Sequence, residues 1–349
     1  MPFRVWRRRL FVLFALTIVY ILAWQITPTS GVTNDPVRRA ERPDDLSLFK
    51  DVTEEIRNGG AYYEVMGAEL RARDYPVRSV FNWRPPWLFE ILATVPAWCG
   101  RLTLMLLAGV LILNASRMLH REMFGPLLVI NAALPAAVAQ SVFLFEVWAG
   151  ILIALSVLAY ANEKHMQGVL WGLTALFVRE LAAPYCMLAM FIAIREKRWR
   201  EVAAWCAGGA AYGILFAVHA WHVIGHLRPG DPAQPAGWLY GGGVPFVLQT
   251  WRTNGLFMYL PRPAFALVVV AIIGSWWSFK MPRYARSAVL LYSLCFLIIG
   301  LPINTYWGFV LAPSVGIWLS YAYDGFATLF SARSHMSQIT SQSVVGAAV

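Results

Sequence analysis

The sequence predicts an all-α polytopic membrane protein with about ten membrane-embedded helices, several of them short, and an amphipathic helical first outer loop. Three observations carry this expectation. Hydrophobic residues make up 58% of the 349 positions and charged residues 14%, against roughly 45–50% and 25% in ordinary soluble domains. The apolar residues gather into runs, several of about 18 residues or more with almost no charge, which is the length that spans hydrocarbon. Lys and Arg, which take the formal net charge to +10, cluster between those runs at Arg4–Arg9, Arg195–Arg200 and Lys280–Arg286. Basic loops of that kind stay on the cytoplasmic side, so the charge needs no nucleic acid to explain it.

The elements follow in order. Residues 10–26 form a first span, longer than a usual signal-peptide core and ending in Trp24-Gln25-Ile26-Thr27-Pro28 without a small-x-small cleavage site. It reads as a retained signal anchor. With Arg4–Arg9 inside, residues 27–85 become an outer loop that holds ten of the 19 acidic residues. Leu46, Phe49, Val52, Thr53 and Ile56 recur at helical spacing and predict an amphipathic helix ending at Gly59-Gly60. A second runs from Tyr62 to Arg73, and both suit a membrane surface.

Pro85-Pro86 marks a helix start. Pro96 and Gly100 are expected to break the run before a span at about 101–117, and the basic loop Arg117–Arg121 returns the chain to the cytoplasm. Apolar runs follow at about 126–142, 145–161, 168–178 and 181–194. The shortest of these are too short to cross alone, so they must pack inside the protein or frame a water-filled cavity on the far side. Further spans are expected at about 202–224, 264–279, 287–301 and 308–330. A Gly/Pro-rich loop (225–243), an amphipathic piece (244–252) and an outer turn at Pro302–Trp307 separate them. Residues 1–330 thus read as one membrane domain and 331–349 as a disordered tail, with both termini cytoplasmic. No internal repeat is visible. Cys99, Cys186, Cys206 and Cys295 lie in or beside apolar segments without a CxxC, and read as small buried hydrophobes.

Ionisable residues at membrane depth are costly and mark function by default. In this topology Asp44, Asp45, Asp51, Arg84, Glu146, Arg179, Glu180, His219, His222, Arg252 and Arg262 all fall on the far side. Acids and arginines at one mouth point to an anionic substrate, because guanidinium grips phosphate bidentately and a carboxylate serves as general base. Each candidate also has a plainer reading. Asp44-Asp45 is a favoured helix cap. Arg179-Glu180, inside an apolar hairpin, is a self-neutralising pair. His219, His222 and His226 share one helix face, spaced for a metal, a hydroxyl or simply the interface. Arg84 and Arg262, each beside prolines at a helix start, suit an anion site or snorkelling. No P-loop, GxGxxG, HExxH or GxSxG is present, so no nucleotide site is visible.

The run Asp44-Asp45-Leu46-Ser47-Leu48-Phe49-Lys50, leading through an amphipathic helix to Gly59-Gly60-Ala61-Tyr62-Tyr63 and then Arg84-Pro85-Pro86, resembles the GT-C superfamily of membrane glycosyltransferases. The polyprenyl-phosphate-mannose-dependent mannosyltransferases and their bacterial relatives are the nearest branch, and the Arg179-Glu180 hairpin is similar to a feature of bacterial members. The likeness covers about residues 5–195 in layout. It implies a cell (inner) membrane enzyme whose active site faces the periplasm or outside. The donor would be a polyprenyl-phosphate sugar and the acceptor a glycan or glycolipid hydroxyl, with membrane lipid around it and no nucleic acid. Asp45 would act as the base of an inverting transfer, with Asp44 and Asp51 as rivals. Arg84, Arg179, Glu180, Glu146, His219, His222 and Arg262 would hold donor phosphate and substrate. No cofactor is implied, and no ligand set argues for a divalent metal. Two other classes remain open: a transporter or flippase for an anionic lipid or sugar, and a non-catalytic membrane subunit.

Overall fold

A computed structural model describes residues 45–119, 122, 124–233 and 241–330. The expected first span at 10–26, Asp44 and the tail at 331–349 lie outside the described residues. Regular structure among the described residues is entirely helical.

The structural axis is Phe145–Ala161. Its side chains are apolar on every face apart from Glu146, Ser156 and the Tyr160 hydroxyl, and a helix without a polar face must be enclosed. All residues from Phe145 to Tyr160 are buried. Four helices and the 3₁₀ segment Pro302–Val310 surround it: Ala97–Leu119, His165–Val178, Arg283–Ile298 and Ala312–Leu319. Approach is closest at Gly150, where a Cβ would stand 2.1 Å from the Phe309 carbonyl oxygen. Only glycine lets the backbones meet there.

Two amphipathic helices cap one end of the axial helix, as the apolar spacing predicts. The first, α1 (Asp45–Arg57), buries Leu48, Phe49, Val52 and Thr53 and leaves Lys50, Glu54 and Glu55 exposed. Phe49 plugs it into the core, with ring centroids 5.5 Å from Phe89 and 5.8 Å from Phe145. It stops where Gly59 takes φ +97°, a left-handed backbone that suits glycine. The second, α2 (Tyr62–Ala72), buries Tyr62, Val65, Met66 and Leu70. Arg73 clasps the two together, bonding Asp51 at 2.5 Å, Glu69 at 2.9 Å and the Ser47 hydroxyl at 2.8 Å.

Ala97–Leu119 and Trp199–His226 are by length and composition able to cross a membrane, and only 28% and 11% of their most apolar windows are buried. The other apolar helices are shorter, including Gly125–Ala133, His165–Val178, Ala183–Arg195 and Arg262–Ser275. Three boundaries differ from expectation. Gly100 does not break the chain but lies inside Ala97–Leu119, buried where a Cβ would meet Leu92 and Val142. The run at 126–142 gives way at Leu134-Pro135 to 3₁₀ turns, because proline there cannot supply the helical N–H. The expected last span is instead three pieces, Pro302–Val310, Ala312–Leu319 and Ala322–Phe330.

The end away from α1 and α2 is pinned by a polar knot. Glu201, 2% exposed, accepts from Tyr160 at 2.6 Å and pairs with Arg198 at 3.2 Å. Arg198 in turn reaches His165 and the Tyr284 hydroxyl, each at 2.5 Å, while Tyr160 and Tyr284 stack at 3.9 Å. All four cysteines are free, but only Cys186 is buried; Cys206 is exposed on the uncovered face of Trp199–His226.

Candidate active site

Four charged side chains, spread over nearly a hundred residues of sequence, converge beneath α1 and α2. Arg179 ends the helix His165–Val178, whose chain then turns through Glu180–Ala182. Glu146 begins the axial helix. Arg84 sits between the short turn Val80–Trp83 and the helix Trp87–Thr94. Arg179 Nε donates to Glu146 Oε1 at 2.7 Å, and Arg179 also pairs with Glu180. Arg84 lies 3.4 Å from Glu180 Oε1 and 3.9 Å from Glu146 Oε1. The side chains of Arg179 and Glu146 are each 1% exposed, that of Arg84 6% and that of Glu180 13%. Two cations and two anions cancel, which is how such charges survive away from water.

The backbone at Arg84 is strained to bring it there. Its φ of 56° and ψ of 152° are unfavourable for any residue with a Cβ, and the following Pro85 narrows the choice further. The surroundings hold it. Tyr62 donates to the carbonyls of Trp83 and Arg84, the latter at 2.6 Å. Arg84 Nη1 donates to the Phe81 carbonyl at 2.7 Å, and the guanidinium lies 5.6 Å from the Phe49 ring centre. Strain that persists only because its neighbours over-determine it clusters at functional sites.

Arg84, Arg179 and Glu180 form the polar end of a cavity of about 270 Å³. The rest of its wall is apolar: Leu181 and Pro184 on one side, Tyr292, Cys295, Phe296 and Ile299 on the other, with Trp307 and Phe81 completing it. Arg84 Nε has no hydrogen-bond partner, and neither do Glu146 Oε2 and Glu180 Oε2.

Asp45, the first residue of α1, does not line this cavity. Its Oδ1 accepts a 2.5 Å bond from the Tyr75 hydroxyl. It lies close enough to act on Tyr306 electrostatically, as do Arg84, Glu146 and Arg179. Desolvation pushes the Tyr306 phenol up, Asp45 adds to that, and Arg84 and Arg179 oppose it. Asp45, Glu146 and both arginines thus share Tyr306 as an electrostatic neighbour.

The other predicted site residues are placed elsewhere. Asp51 is occupied by Arg73 in the clasp between α1 and α2. His222 and His226 stack on the Tyr63 ring at 4.8 and 5.5 Å and His219 packs tilted against it at 5.6 Å, with Tyr63 Oη 3.1 Å from His219 Nδ1. Their shared face docks an aromatic ring of α2, and burial pushes the Tyr63 phenol up to about 12. None of them lines the cavity. Arg252 donates to the Leu260 carbonyl at 2.7 Å. Arg262 is exposed at the start of a helix whose buried face joins a separate small core with Leu248 and Leu329. Among the described residues no group of three or more His, Cys, Asp or Glu side chains is arranged for a metal ion.

Several contributors escaped the sequence reading. Asp231, 7% exposed, holds Arg71 with two 2.8 Å bonds and also accepts from the Arg228 N–H at 2.7 Å. The Arg71 guanidinium holds the Asp231 carboxyl down at about 2. Tyr62, Tyr75, Tyr292, Tyr306 and Trp307 were invisible as site residues because one aromatic among 50 carries no positional signal; Tyr306-Trp307 in a turn between apolar runs was the one available hint. Comparison with protein-family models, with curated proteins and with solved structures found no match to this chain.

Proposed function

We propose that this chain is a multi-pass membrane glycosyltransferase of GT-C kind, moving a sugar from a polyprenyl-phosphate donor to an acceptor hydroxyl on the outer face of the membrane. The membrane part rests on more than the two long helices. Shorter helices also carry large apolar side chains on uncovered faces, among them Leu170, Phe191, Leu267, Leu294 and Ile298. Soluble monomers rarely expose apolar patches on this scale, whereas lipid covers them. Helices too short to span alone are then accounted for by packing around Phe145–Ala161 and by the cavity at their outer ends.

One observation carries the enzymatic reading: two buried arginines stand at the head of an apolar cavity, and the Asp45 carboxylate shares Tyr306 with them as an electrostatic neighbour. A prenyl phosphate has the matching chemistry, an apolar chain with an anionic end. In the proposed step the acceptor oxygen attacks the anomeric carbon, the bond from that carbon to the phosphate oxygen breaks, and Asp45 takes the hydroxyl proton. The electron pair leaves with the lipid phosphate, whose charge Arg84 and Arg179 stabilise. Tyr75 orients the carboxylate.

The test is sugar transfer from a radiolabelled polyprenyl-phosphate donor by membranes holding the full chain. Asp45→Asn should lower kcat by about 10²–10⁴-fold, the usual contribution of a general base. Unchanged transfer by that variant removes Asp45 as base. Absence of transfer by the unaltered chain with every such donor overturns the enzyme reading and favours transport or a non-catalytic role.

A further inference from the structure

The anion site is already filled, by the protein's own carboxylate. The two glutamates of the cluster differ in kind. Glu146 is 1% exposed, belongs to the axial helix, and does not line the cavity. Glu180 is 13% exposed, rides on a single 3₁₀ turn, and forms part of the cavity wall. One oxygen of Glu180 faces both guanidinium groups, and its other oxygen has no partner. Arg84, 94% buried, keeps its Nε unbonded at the same place.

We infer that Glu180 is a placeholder anion: it neutralises Arg84 and Arg179 in the empty site and is displaced into the cavity mouth when a prenyl phosphate enters. The inference rests on the donor reading above and adds how binding is gated. Without Glu180 the empty site would hold two buried cations against one anion, a costly state. With Glu180, an incoming phosphate exchanges one anion for another, so the arginines never face hydrocarbon unpaired. Glu146, fixed beneath, keeps Arg179 aimed throughout. Selection then falls on ligands with both parts. Free phosphate lacks the apolar portion that would occupy the wall at Tyr292, Phe296 and Ile299, and a prenyl alcohol cannot displace a carboxylate.

The experiment is equilibrium binding of tritiated farnesyl phosphate to the detergent-solubilised full chain, with tritiated farnesol and inorganic phosphate as comparison probes. Glu180→Gln removes the competing charge, so farnesyl phosphate should bind about tenfold tighter, while farnesol binding stays as it was. Inorganic phosphate should compete only weakly in both forms. Arg84→Gln should weaken farnesyl phosphate binding in either background. Should Glu180→Gln fail to fold, Glu180→Asp, which withdraws the carboxylate by one methylene, should give a smaller gain in the same direction. Equal or weaker binding by folded Glu180 variants, with the unaltered chain still binding, overturns the placeholder and leaves the donor site standing. Loss of farnesyl phosphate binding by the unaltered chain removes both.

Discussion

Arg179 Nε lies 2.7 Å from Glu146 Oε1, and the two side chains are each only 1% exposed. The two residues lie 33 positions apart in the chain, yet the pair forms the floor on which Arg84 and Glu180 rest. Burying charge this deeply is tolerated because each member compensates another, and this mutual dependence makes single replacements severe.

Glu146→Ala should therefore destabilise the fold by about 3–5 kcal/mol, the range for removing one partner of a buried pair. Thermal unfolding in detergent measures it. The double replacement Glu146→Leu with Arg179→Met should cost less than Glu146→Ala alone, since no orphaned charge remains. A double variant that is additive would show that the pair is not coupled.

Tyr75→Phe removes the bond to Asp45 without touching the cavity. Transfer should fall about tenfold in kcat with KM for the donor little changed, since an uncharged hydrogen bond of this kind contributes about 0.5–1.5 kcal/mol. A rise in KM at constant kcat would place Tyr75 in binding instead of orientation.

Gly150→Val should be among the most damaging changes in the apolar core. Even a Cβ would stand 2.1 Å from the Phe309 carbonyl oxygen, and backbone cannot step aside as a side chain can. Gly109, with nothing near its missing Cβ, is the control: Gly109→Ala should be neutral or slightly stabilising, because alanine favours helix. Thermal unfolding of the two variants side by side checks both.

The cap formed by α1 and α2 has a defined acid limit. Asp231 is held down at about 2 in the folded protein against an ordinary value of 3.8, first by its bonds from Arg71. A lowered folded-state value means the contribution is complete above the unfolded value and lost as pH falls toward the folded one. The contact between α2 and the 228–232 segment should therefore loosen between about pH 4 and pH 2. Limited proteolysis near Arg78, whose N–H bonds the Pro232 carbonyl at 3.2 Å, reports it. Asp231→Asn should already be protease-sensitive at neutral pH and show no further change through that window. Identical pH profiles for the two proteins would rule out this anchor.

How much of this was legible without coordinates depended on whether the signal was local. Helical spacing of Phe49, Val52 and Thr53, the stop at Gly59 and the start after Pro85-Pro86 are set by residues within a turn of one another, and each is where the sequence placed it. Arg84, Glu146, Arg179 and Glu180 were singled out as candidates, because a charge inside an apolar run is conspicuous and must find a partner, but only the Arg179-Glu180 pairing was expected, and Asp45 was expected to open into the same cavity. The same reasoning took in Asp51, His219, His222 and Arg262 too, and there it misled. A charge or imidazole on a partly exposed face is satisfied equally well by Arg73 or by the Tyr63 ring, and composition cannot distinguish these.

The sequence by itself determined the all-helical class, the helical periods and the need for buried charges to pair. Only the tertiary structure decided which pairs form, that the last run divides into three pieces, and that Asp45 stays out of the cavity wall where Arg84 and Arg179 stand. The physical reason is range. Periodicity and capping act over a few residues, whereas burial, charge compensation and close approach depend on which distant segments share a space.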